Sequence, residues 1–289
     1  MLKTPAALFG ASALVCAGEM VREQCDFRVR HYRINTDRLP EGKRIRFVFL
    51  SDLHGKKYGK GNHKLIEAVK HVNPDLILLG GDLLTRSDPG SDYSASVFCR
   101  KLSGIAPIYG ANGNHEQKMK ENPPRYGDRY AKYKDSLKKA GICLLENETS
   151  DIRKGNFRIS ITGIEIPLLN YGHFTKKKLS QETIRSLVGK PDEKAFRILL
   201  AHNPVYMNEY WKWGADLVFS GHLHGGIIRL PFLGGVITPQ IQLFPEYSGD
   251  LYNKNGHWAV VSRGLGTHTV NVRLFNMAEL VCLDLAGSR

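Results

Sequence analysis

Short apolar runs and helix-like patterns alternate along the chain from residue 44 onward. Residues Ile45–Leu50 form a mostly apolar run that predicts a buried strand. Four apolar positions then recur at helical spacing: Leu65, Ile66, Val69 and Val72. Pro74 ends that helix, and Leu76–Leu79 predicts a second strand. Such alternation of strand and helix is typical of an α/β domain.

The same alternation continues through the rest of the sequence. Further strands are predicted at 108–109, 157–161, 198–200, 217–219, 258–262 and 280–285. Helices are predicted at 94–102 and 129–140, with a short one around 184–188. The stretch 225–245 is rich in Gly and Pro, which predicts a loop with short hairpin strands. No linker divides the chain, so we expect one domain over residues 44–289, preceded by a segment of residues 1–43.

The N-terminal segment contains a short apolar stretch. Between Lys3 and Glu19 lie 15 uncharged residues, many of them Ala. A helix that spans a bilayer needs about 20 apolar residues, so this stretch is closer in length to the core of an export signal. We interpret residues 1–43 as an export or membrane-anchor-like segment with a lead-in. The expected location is a membrane or the cell envelope, with the cytoplasm as the alternative.

Ligand-type residues follow five of the predicted strands. After these strands come, in chain order, Asp52 and His54, Asp82, Asn114 and His115, His202, and His222 and His224. In open α/β sheets the functional crevice lies beyond the carboxyl ends of the strands. We therefore expect segments that are far apart in the sequence to meet at one site.

The residue types and their spacing predict a metal site. Asp52 and His54 are two residues apart, as are His222 and His224, and in an extended chain each pair points to one side. Carboxylate, amide and imidazole ligands together suit Mn, Fe, Zn or Ni. The ligands exceed the needs of one tetrahedral zinc and are enough for two divalent ions bridged by a carboxylate. Two such ions can produce hydroxide at neutral pH and stabilise an in-line displacement at phosphorus.

Charge and cysteine content change this picture only slightly. The chain has 41 Lys and Arg against 28 Asp and Glu, a formal net charge of +13. Such a surplus attracts phosphorylated substrates, nucleic acid or an anionic membrane surface, and it does not choose between them. The five cysteines are widely spaced, which predicts neither a disulfide framework nor a zinc ribbon.

The ordered motifs D-x-H, G-D, G-N-H-E, H and G-H-x-H resemble the signature blocks of calcineurin-like metallophosphoesterases. They extend from Asp52 to His224. Within that superfamily, GHLHGG followed by RLPFLGG is similar to the YkuE-like bacterial branch, as is the later SRGLG…VRLFN stretch. The resemblance implies a dinuclear metallophosphoesterase, a hydrolase that acts on ester bonds. It also implies a β-sandwich of two mixed sheets flanked by helices, in four layers of the order αββα.

The resemblance also implies a role for each residue of the motifs. Asp52, His54 and His224 would hold one metal ion. Asn114, His202 and His222 would hold the other, and Asp82 would bridge the two. A metal-bridging hydroxide would attack the phosphorus, and His115 would bind no metal but assist the leaving group as a general acid. Glu116 would orient His115 or support the ligands from behind.

One position departs from the family pattern. Many members read G-D-x-x-D, whereas Thr85 occupies the last position here, which puts the orientation of the neighbouring side chains in question. Asp88 is a candidate to take its place. Arg229 and Arg263 lie near the predicted site loops, where each would hold a phosphate oxygen or form a structural salt bridge.

We expect an active phosphoesterase that hydrolyses a phosphate monoester or diester. The predicted partner is a phosphorylated small molecule or lipid, with a lipid or cell-envelope phosphoester ranked first and an anionic membrane surface as a possible further partner. One alternative is a nuclease of the same superfamily, although no nucleic-acid-binding motif supports it. The other is a non-catalytic binding scaffold, whose signature would be the loss of metal ligands, and no ligand is missing.

Overall fold

The computed structural model describes residues 3–172, 178–238, 241–267 and 271–288, with side chains in the first helix from Leu14 onward. The helices are α1 Lys3–Cys25, α2 His63–Val72, α3 Pro89–Ser103, α4 Asn114–Glu121, α5 Pro123–Tyr126, α6 Arg129–Lys139, α7 Gln181–Val188 and α8 Met207–Trp213. Three short 3₁₀ turns lie at Lys60–Asn62, Leu168–Tyr171 and Pro204–Tyr206.

The first seven strands are β1 Phe27–Thr36, β2 Arg44–Leu50, β3 Leu76–Leu79, β4 Ile108–Gly110, β5 Cys143–Leu144, β6 Thr149–Lys154 and β7 Phe157–Ile164. The other seven are β8 Phe196–Ala201, β9 Leu217–Ser220, β10 Ile228–Leu230, β11 Gly234–Ile237, β12 Asp250–Lys254, β13 His257–Val261 and β14 Ala278–Gly287. Every strand predicted from the sequence is present, and β10 and β11 form the hairpin expected in the Gly- and Pro-rich stretch.

Twelve of these strands form two mixed sheets. Sheet A has the order β1-β14-β2-β3-β4-β5, in which β14 is antiparallel to β2 and the pairs from β2 to β5 are parallel. Sheet B has the order β12-β13-β9-β8-β7-β6, with a parallel centre and an antiparallel strand at each edge. The mixed character of both sheets confirms that part of the predicted fold.

Three apolar cores separate the layers. Along β2, Phe47 and Phe49 face sheet B, where both rings contact Phe219, while Val48 and Leu50 face the helices on the other side. Because residues 47–50 of β2 are buried on both faces, this part of the strand is a continuous apolar run instead of an alternating one. Helices α2, α3 and α6 cover sheet A, and α7 and α8 cover sheet B. The layers therefore have the predicted αββα order.

The N-terminal part of the chain contains an edge strand. Residues 27–36, which the sequence pattern places in the lead-in, form β1 and pair in parallel with β14 from Phe27–Ala278 to Thr36–Gly287. Sheet A therefore begins before residue 44. Helix α1 precedes this strand, and within the described residues no helix has the length and apolar character needed to cross a bilayer.

Candidate active site

Eight polar side chains converge at the carboxyl ends of strands from both sheets. They are Asp52, His54, Asp82, Asn114, His115, His202, His222 and His224, and we call them the Asp–His cluster. Sheet A supplies the residues that follow β2, β3 and β4, and sheet B supplies those that follow β8 and β9. All eight side chains are buried. The predicted meeting of distant segments is therefore present in the structure.

The Asp and His members form three overlapping groups of closely spaced ligand atoms. One group contains Asp52, His54 and His224, a second Asp82, His202 and His222, and a third His54, Asp82 and His115. The Nε2 atoms of His54 and His224 are 3.3 Å apart, and His202 Nε2 lies 3.1 Å from Asp82 Oδ2. Donors bonded to one ion at about 2.0–2.2 Å lie about 3–3.6 Å apart, so these separations fit shared divalent ions.

Backbone carbonyls select the tautomer of two histidines. His202 Nδ1 lies 2.7 Å from the carbonyl oxygen of Gly80, and His224 Nδ1 lies 3.0 Å from that of Gly266. A carbonyl can only accept, so each Nδ1 donates its proton, and in the neutral ring that a metal binds the lone pair lies on Nε2. Metal-binding histidines are commonly oriented in this way. Both rings are therefore prepared to bind a cation through Nε2.

His115 has the opposite arrangement. Its Nδ1 accepts a hydrogen bond of 3.2 Å from the backbone N–H of Arg86 and lies 3.3 Å from Thr85 Oγ1. Because a backbone N–H can only donate, neutral His115 carries its proton on Nε2. Its backbone N–H donates to Asp82 Oδ1 over 2.8 Å, and its ring is edge-on to that of His54 with centroids 4.9 Å apart. Within the Asp–His cluster, neutral His115 is thus held with its Nε2–H as a hydrogen-bond donor.

Asn114 fits the site through an unsatisfied atom. Its Oδ1 is buried and has no hydrogen-bond partner in the structure. Leaving a buried acceptor without a partner costs about 1–3 kcal/mol, which a bound cation would offset. Together with the carboxylates and imidazoles, this amide oxygen completes the mixture of donors that suits Mn, Fe, Zn or Ni.

The predicted extended geometry of the two ligand pairs is wrong. Asp52 and His54 have φ angles of 55° and 49°, His222 and His224 have 69° and 53°, and Asp82 has 52°. Left-handed backbone at residues other than Gly is uncommon and costs about 1–3 kcal/mol each. Successive tight turns redirect the side chains. Asp52 and His54 consequently meet in one group, whereas His222 and His224 reach different groups.

Two glycines permit the close packing around the carboxylates. A Cβ atom on Gly113 would lie 2.2 Å from Asp82 Oδ1, and one on Gly221 would lie 2.2 Å from Asp52 Oδ2. Any side chain at either position would displace a carboxylate. Glycine, which has no Cβ, lets the backbone approach both carboxylates this closely.

The electrostatics of the site reflect dense packing of charge. Burial alone would raise the pKa of Asp82, but the charges of His202, His115 and His54 outweigh it and hold the pKa well below its usual value. Burial would lower the pKa of His202, but Asp82 raises it to about 10. The pKa of His222 is well below its usual value because of burial and the charge of His202. An ionised Asp82 is the form that a metal requires.

Glu116 joins two of the site loops. Its carboxylate accepts hydrogen bonds from the backbone N–H groups of Asp82, Leu83 and Gly113, at 2.8, 2.9 and 3.0 Å. Burial and the charge of Asp82 raise the pKa of Glu116 to about 8. Of the two roles expected for Glu116, these contacts favour support of the ligand loops.

The structure shows which groups contact His115 where many family members have an Asp and this chain has Thr85. The Thr85 hydroxyl and the Arg86 N–H contact His115 Nδ1 at the position where an Asp is common in the family. Asp88 does not take over this role, because its carboxylate accepts from Gly90 N over 2.9 Å and caps helix α3. Arg229 and Arg263 both bind Asp250, at 2.8 and 2.6 Å, so the structure shows the salt-bridge alternative.

Two residues near the site were given no role in the sequence analysis, although one of them, Arg273, lies in the VRLFN stretch. The ring of Tyr171 lies edge-on to His222 with centroids 5.0 Å apart, and it covers the second group from the side of sheet B. Arg273 is fully buried and donates to the carbonyls of Gly264, Gly266 and Asn276. Since Gly266 O also accepts from His224, Arg273 fixes the carbonyl that orients a ligand.

Comparison with known proteins agrees with this geometry. A sequence model of the calcineurin-like phosphoesterase family matches residues 45–226. An uncharacterized metallophosphoesterase of Aquifex aeolicus is 30% identical, covering 90% of this chain and 92% of its own. The phosphodiesterase YaeI of Escherichia coli is 29% identical over 83% of this chain and 82% of its own. The uncharacterized metallophosphoesterase YkuE of Bacillus subtilis is 26% identical over 89% and 85%.

Proposed function

The chain belongs to the calcineurin-like phosphoesterase family and is a metal-dependent hydrolase of phosphoester bonds, and we propose how its own residues carry out the reaction. The observation that carries the proposal is the contrast between the tautomer of His115 and those of His202 and His224. In their neutral forms the rings of His202 and His224 present a lone pair to the centre of the cluster, whereas the ring of His115 presents an N–H.

The Asp–His cluster would hold two divalent ions. Asp52, His54 and His224 form the first set of ligands, Asn114, His202 and His222 form the second, and Asp82 is shared between them. Support for this division comes from the grouping of ligand atoms and from the unsatisfied Asn114 Oδ1. When bound, such ions supply a hydroxide at neutral pH and Lewis acidity toward the phosphoryl oxygens.

His115 would deliver a proton or hydrogen bond to the leaving oxygen. Because the Arg86 N–H donates to Nδ1, the ring proton lies on Nε2, and this Nε2–H is the donor that His115 would offer the leaving oxygen. The same tautomer leaves no lone pair on Nε2, which explains why His115 would not serve as a ligand although it lies within reach of Asp82. A positioned acid of this kind contributes about 10²–10⁴ in rate.

We propose a phosphodiester as the preferred substrate, with a monoester as the alternative. The name of the YaeI relative, a phosphodiesterase, supports the diester. The net charge of +13 supports an anionic substrate or surface, and on this basis we further propose a lipid or cell-envelope phosphoester. The location that this substrate requires is a membrane or the cell envelope.

The test uses the full chain, Mn²⁺ and two soluble esters, bis(p-nitrophenyl) phosphate and p-nitrophenyl phosphate. His115→Ala should retain its metal content and lose about 10²–10⁴ in turnover. Asp82→Ala should lose both ions and all turnover. His71→Ala, an exposed histidine near the end of α2, is the matched control and should behave as wild type.

Three outcomes would contradict the proposal. Metal-loaded protein that turns over neither ester would support a binding scaffold. Turnover of single-stranded DNA or RNA at a much higher rate than of either ester would support the nuclease. Loss of metal from His115→Ala would make His115 a ligand and reverse its assigned role.

A further inference from the structure

Exposed apolar side chains are concentrated on one surface. Among the described residues, twelve large apolar side chains are exposed, and seven of them lie together. We call these seven the hairpin surface: Leu230, Phe232 and Leu233 at the β10–β11 hairpin, Ile241, Leu243 and Phe244 in the following loop, and Phe275. Phe232 is fully exposed at the tip. Contiguous exposed apolar residues on a soluble domain indicate an interaction site.

Hydrogen bonds and a shared cavity unite the hairpin surface. The loop after the hairpin pairs with it through Phe244 N and Val236 O at 2.9 Å and through a bridge between Ile237 and Leu243. Leu230, Phe232, Leu233 and Phe275 line one cavity of about 640 Å³. The seven side chains are therefore parts of one surface.

The segment that supplies six of the seven side chains of the hairpin surface contains no charged residue. Residues 230–245 contain no Asp, Glu, Lys, Arg or His, although charged residues make up 24% of the chain. Protein–protein interfaces are typically bordered by polar side chains, whereas charged groups are costly in the hydrocarbon of a bilayer. Arg229, Glu246, Asp250 and Arg263 line the base of the same cavity, so the uncharged part is the protrusion of residues 230–245 itself. An uncharged apolar protrusion above a charged base, on a strongly basic protein, fits the headgroup region of an anionic lipid surface.

The backbone of this surface consists of protruding turns. Phe232, Ile241, Phe244 and Phe275 have φ angles of 68°, 62°, 43° and 56°. Left-handed backbone is unusual for residues of this size, and especially for the β-branched Ile241. Turns of this kind raise single large side chains above their surroundings, which suits insertion between lipid headgroups.

The hairpin surface adjoins both the active site and α1. Phe275 precedes Asn276, whose Nδ2 donates to the carbonyl oxygen of His224 over 2.7 Å. The backbone N–H of Asn276 donates to Glu23 at the end of α1 over 2.9 Å. Helix α1 exposes three further apolar side chains, Leu14, Val15 and Val21. The loop that carries Phe275 thus contacts both the backbone of His224 and the end of α1.

We propose that the hairpin surface inserts into the headgroup region of a bilayer that contains anionic lipids. The net charge of +13 supplies long-range attraction, and the apolar side chains supply the contact. Insertion holds the Asp–His cluster against the membrane, where a phosphoester of a lipid headgroup reaches it. The binding of a lipid phosphoester at the Asp–His cluster rests on the proposed function, whereas insertion of the hairpin surface does not.

The experiment is co-sedimentation of the full chain with vesicles. One set contains phosphatidylcholine alone and the other also contains phosphatidylglycerol. Wild type should bind the second set more tightly. The triple variant Phe232→Ser, Leu233→Ser, Phe244→Ser should lose at least about tenfold in affinity, since burial of each side chain contributes enough for that factor. The double variant Tyr93→Ser, Leu169→Ser removes exposed apolar side chains elsewhere and should bind as wild type.

Hydrolysis of soluble bis(p-nitrophenyl) phosphate separates this proposal from the proposed function. The triple variant should hydrolyse it at the wild-type rate, which also shows that the variant is folded. Equal vesicle binding by wild type and the triple variant would overturn the insertion, whatever the activity. So would loss of binding only in Leu14→Ser, Val15→Ser, Val21→Ser, which would assign the contact to α1.

A second copy of the chain is the competing occupant. If wild type without vesicles sediments as a dimer, the triple variant sediments as a monomer, and neither binds vesicles, the hairpin surface is a dimer interface and the proposal is wrong.

Discussion

The Asp–His cluster and the hairpin surface depart from the usual distribution of side chains in opposite directions. In the cluster, eight polar side chains are buried, and in the hairpin surface, seven large apolar side chains are exposed. Both regions contain bulky or polar residues in left-handed backbone. Residue arrangements that cost free energy of folding are expected at functional sites. In this protein both regions adjoin Asn276, which follows Phe275 in the chain and donates to the carbonyl oxygen of His224.

The comparison between the two regions predicts that substitutions in the Asp–His cluster strongly reduce metal binding and turnover. It also predicts that substitutions in the hairpin surface leave folding intact.

The largest effect is expected for Gly113→Ala. Its Cβ would lie 2.2 Å from Asp82 Oδ1, so the shared carboxylate must move. We expect metal content to fall and turnover to drop at least about 10²-fold. Gly104→Ala, where the nearest atom is 3.7 Å away, is the control. Wild-type turnover in Gly113→Ala would show that the cluster tolerates displacement.

Arg273→Met should produce the next largest effect. The substitution leaves the carbonyls of Gly264, Gly266 and Asn276 without their guanidinium partner in a buried setting. We expect the free energy of unfolding to fall by about 3 kcal/mol, measured by urea denaturation. Metal affinity should also fall about 10-fold because Gly266 O loses its support. Loss of stability without loss of affinity would limit Arg273 to a structural role.

Thr85→Val should have a smaller effect. It removes a hydroxyl 3.3 Å from His115 Nδ1, while the Arg86 N–H remains as the donor. We expect kcat to decrease about two- to fivefold with unchanged metal content, as for one modest hydrogen bond. Thr85→Ser keeps the hydroxyl and should restore the rate. A drop of a hundredfold would show that the hydroxyl, and not the backbone, positions the ring.

The smallest effect is expected for Phe232→Ser. The side chain is fully exposed, so its removal should change the free energy of unfolding by no more than about 0.5 kcal/mol. Thermal or urea unfolding measures this directly. A loss of several kcal/mol would mean that Phe232 contributes to folding, and the contrast between the two regions would disappear.

The parts of the fold that the sequence predicts best are the strands buried on both faces. Apolar runs within β2, β3, β8 and β9 are easily recognised, and a ligand-type residue follows each strand within three positions. Helix α4 was not predicted, because it begins within the GNHE motif and its sequence is mostly polar. Strand β1 was not predicted either, because arginines and other polar residues interrupt its apolar positions and most of its side chains are not buried.

The eight residues singled out in the sequence lie together in the structure, while their roles as metal ligands and acid stay a prediction, and their backbone conformation was not predicted. Spacing alone indicated extended pairs at Asp52–His54 and His222–His224, whereas both pairs are built from left-handed turns. The role of Arg273 depends on three carbonyls brought together only by the folded chain. The exposure of Phe232 could not be predicted, because a Phe in a hairpin has the same sequence signal whether it is buried or exposed.

The placement of β14 between β1 and β2 has a consequence for biosynthesis. The two strands nearest the start of the chain have no direct hydrogen bonds to each other and are joined only through residues 278–287. Sheet A therefore cannot close while the chain is still on the ribosome with those residues inside the exit tunnel. Until residues 278–287 emerge, β1 and one edge of β2 lack this partner, which leaves a period in which translocation machinery or chaperones can engage an incompletely folded polypeptide.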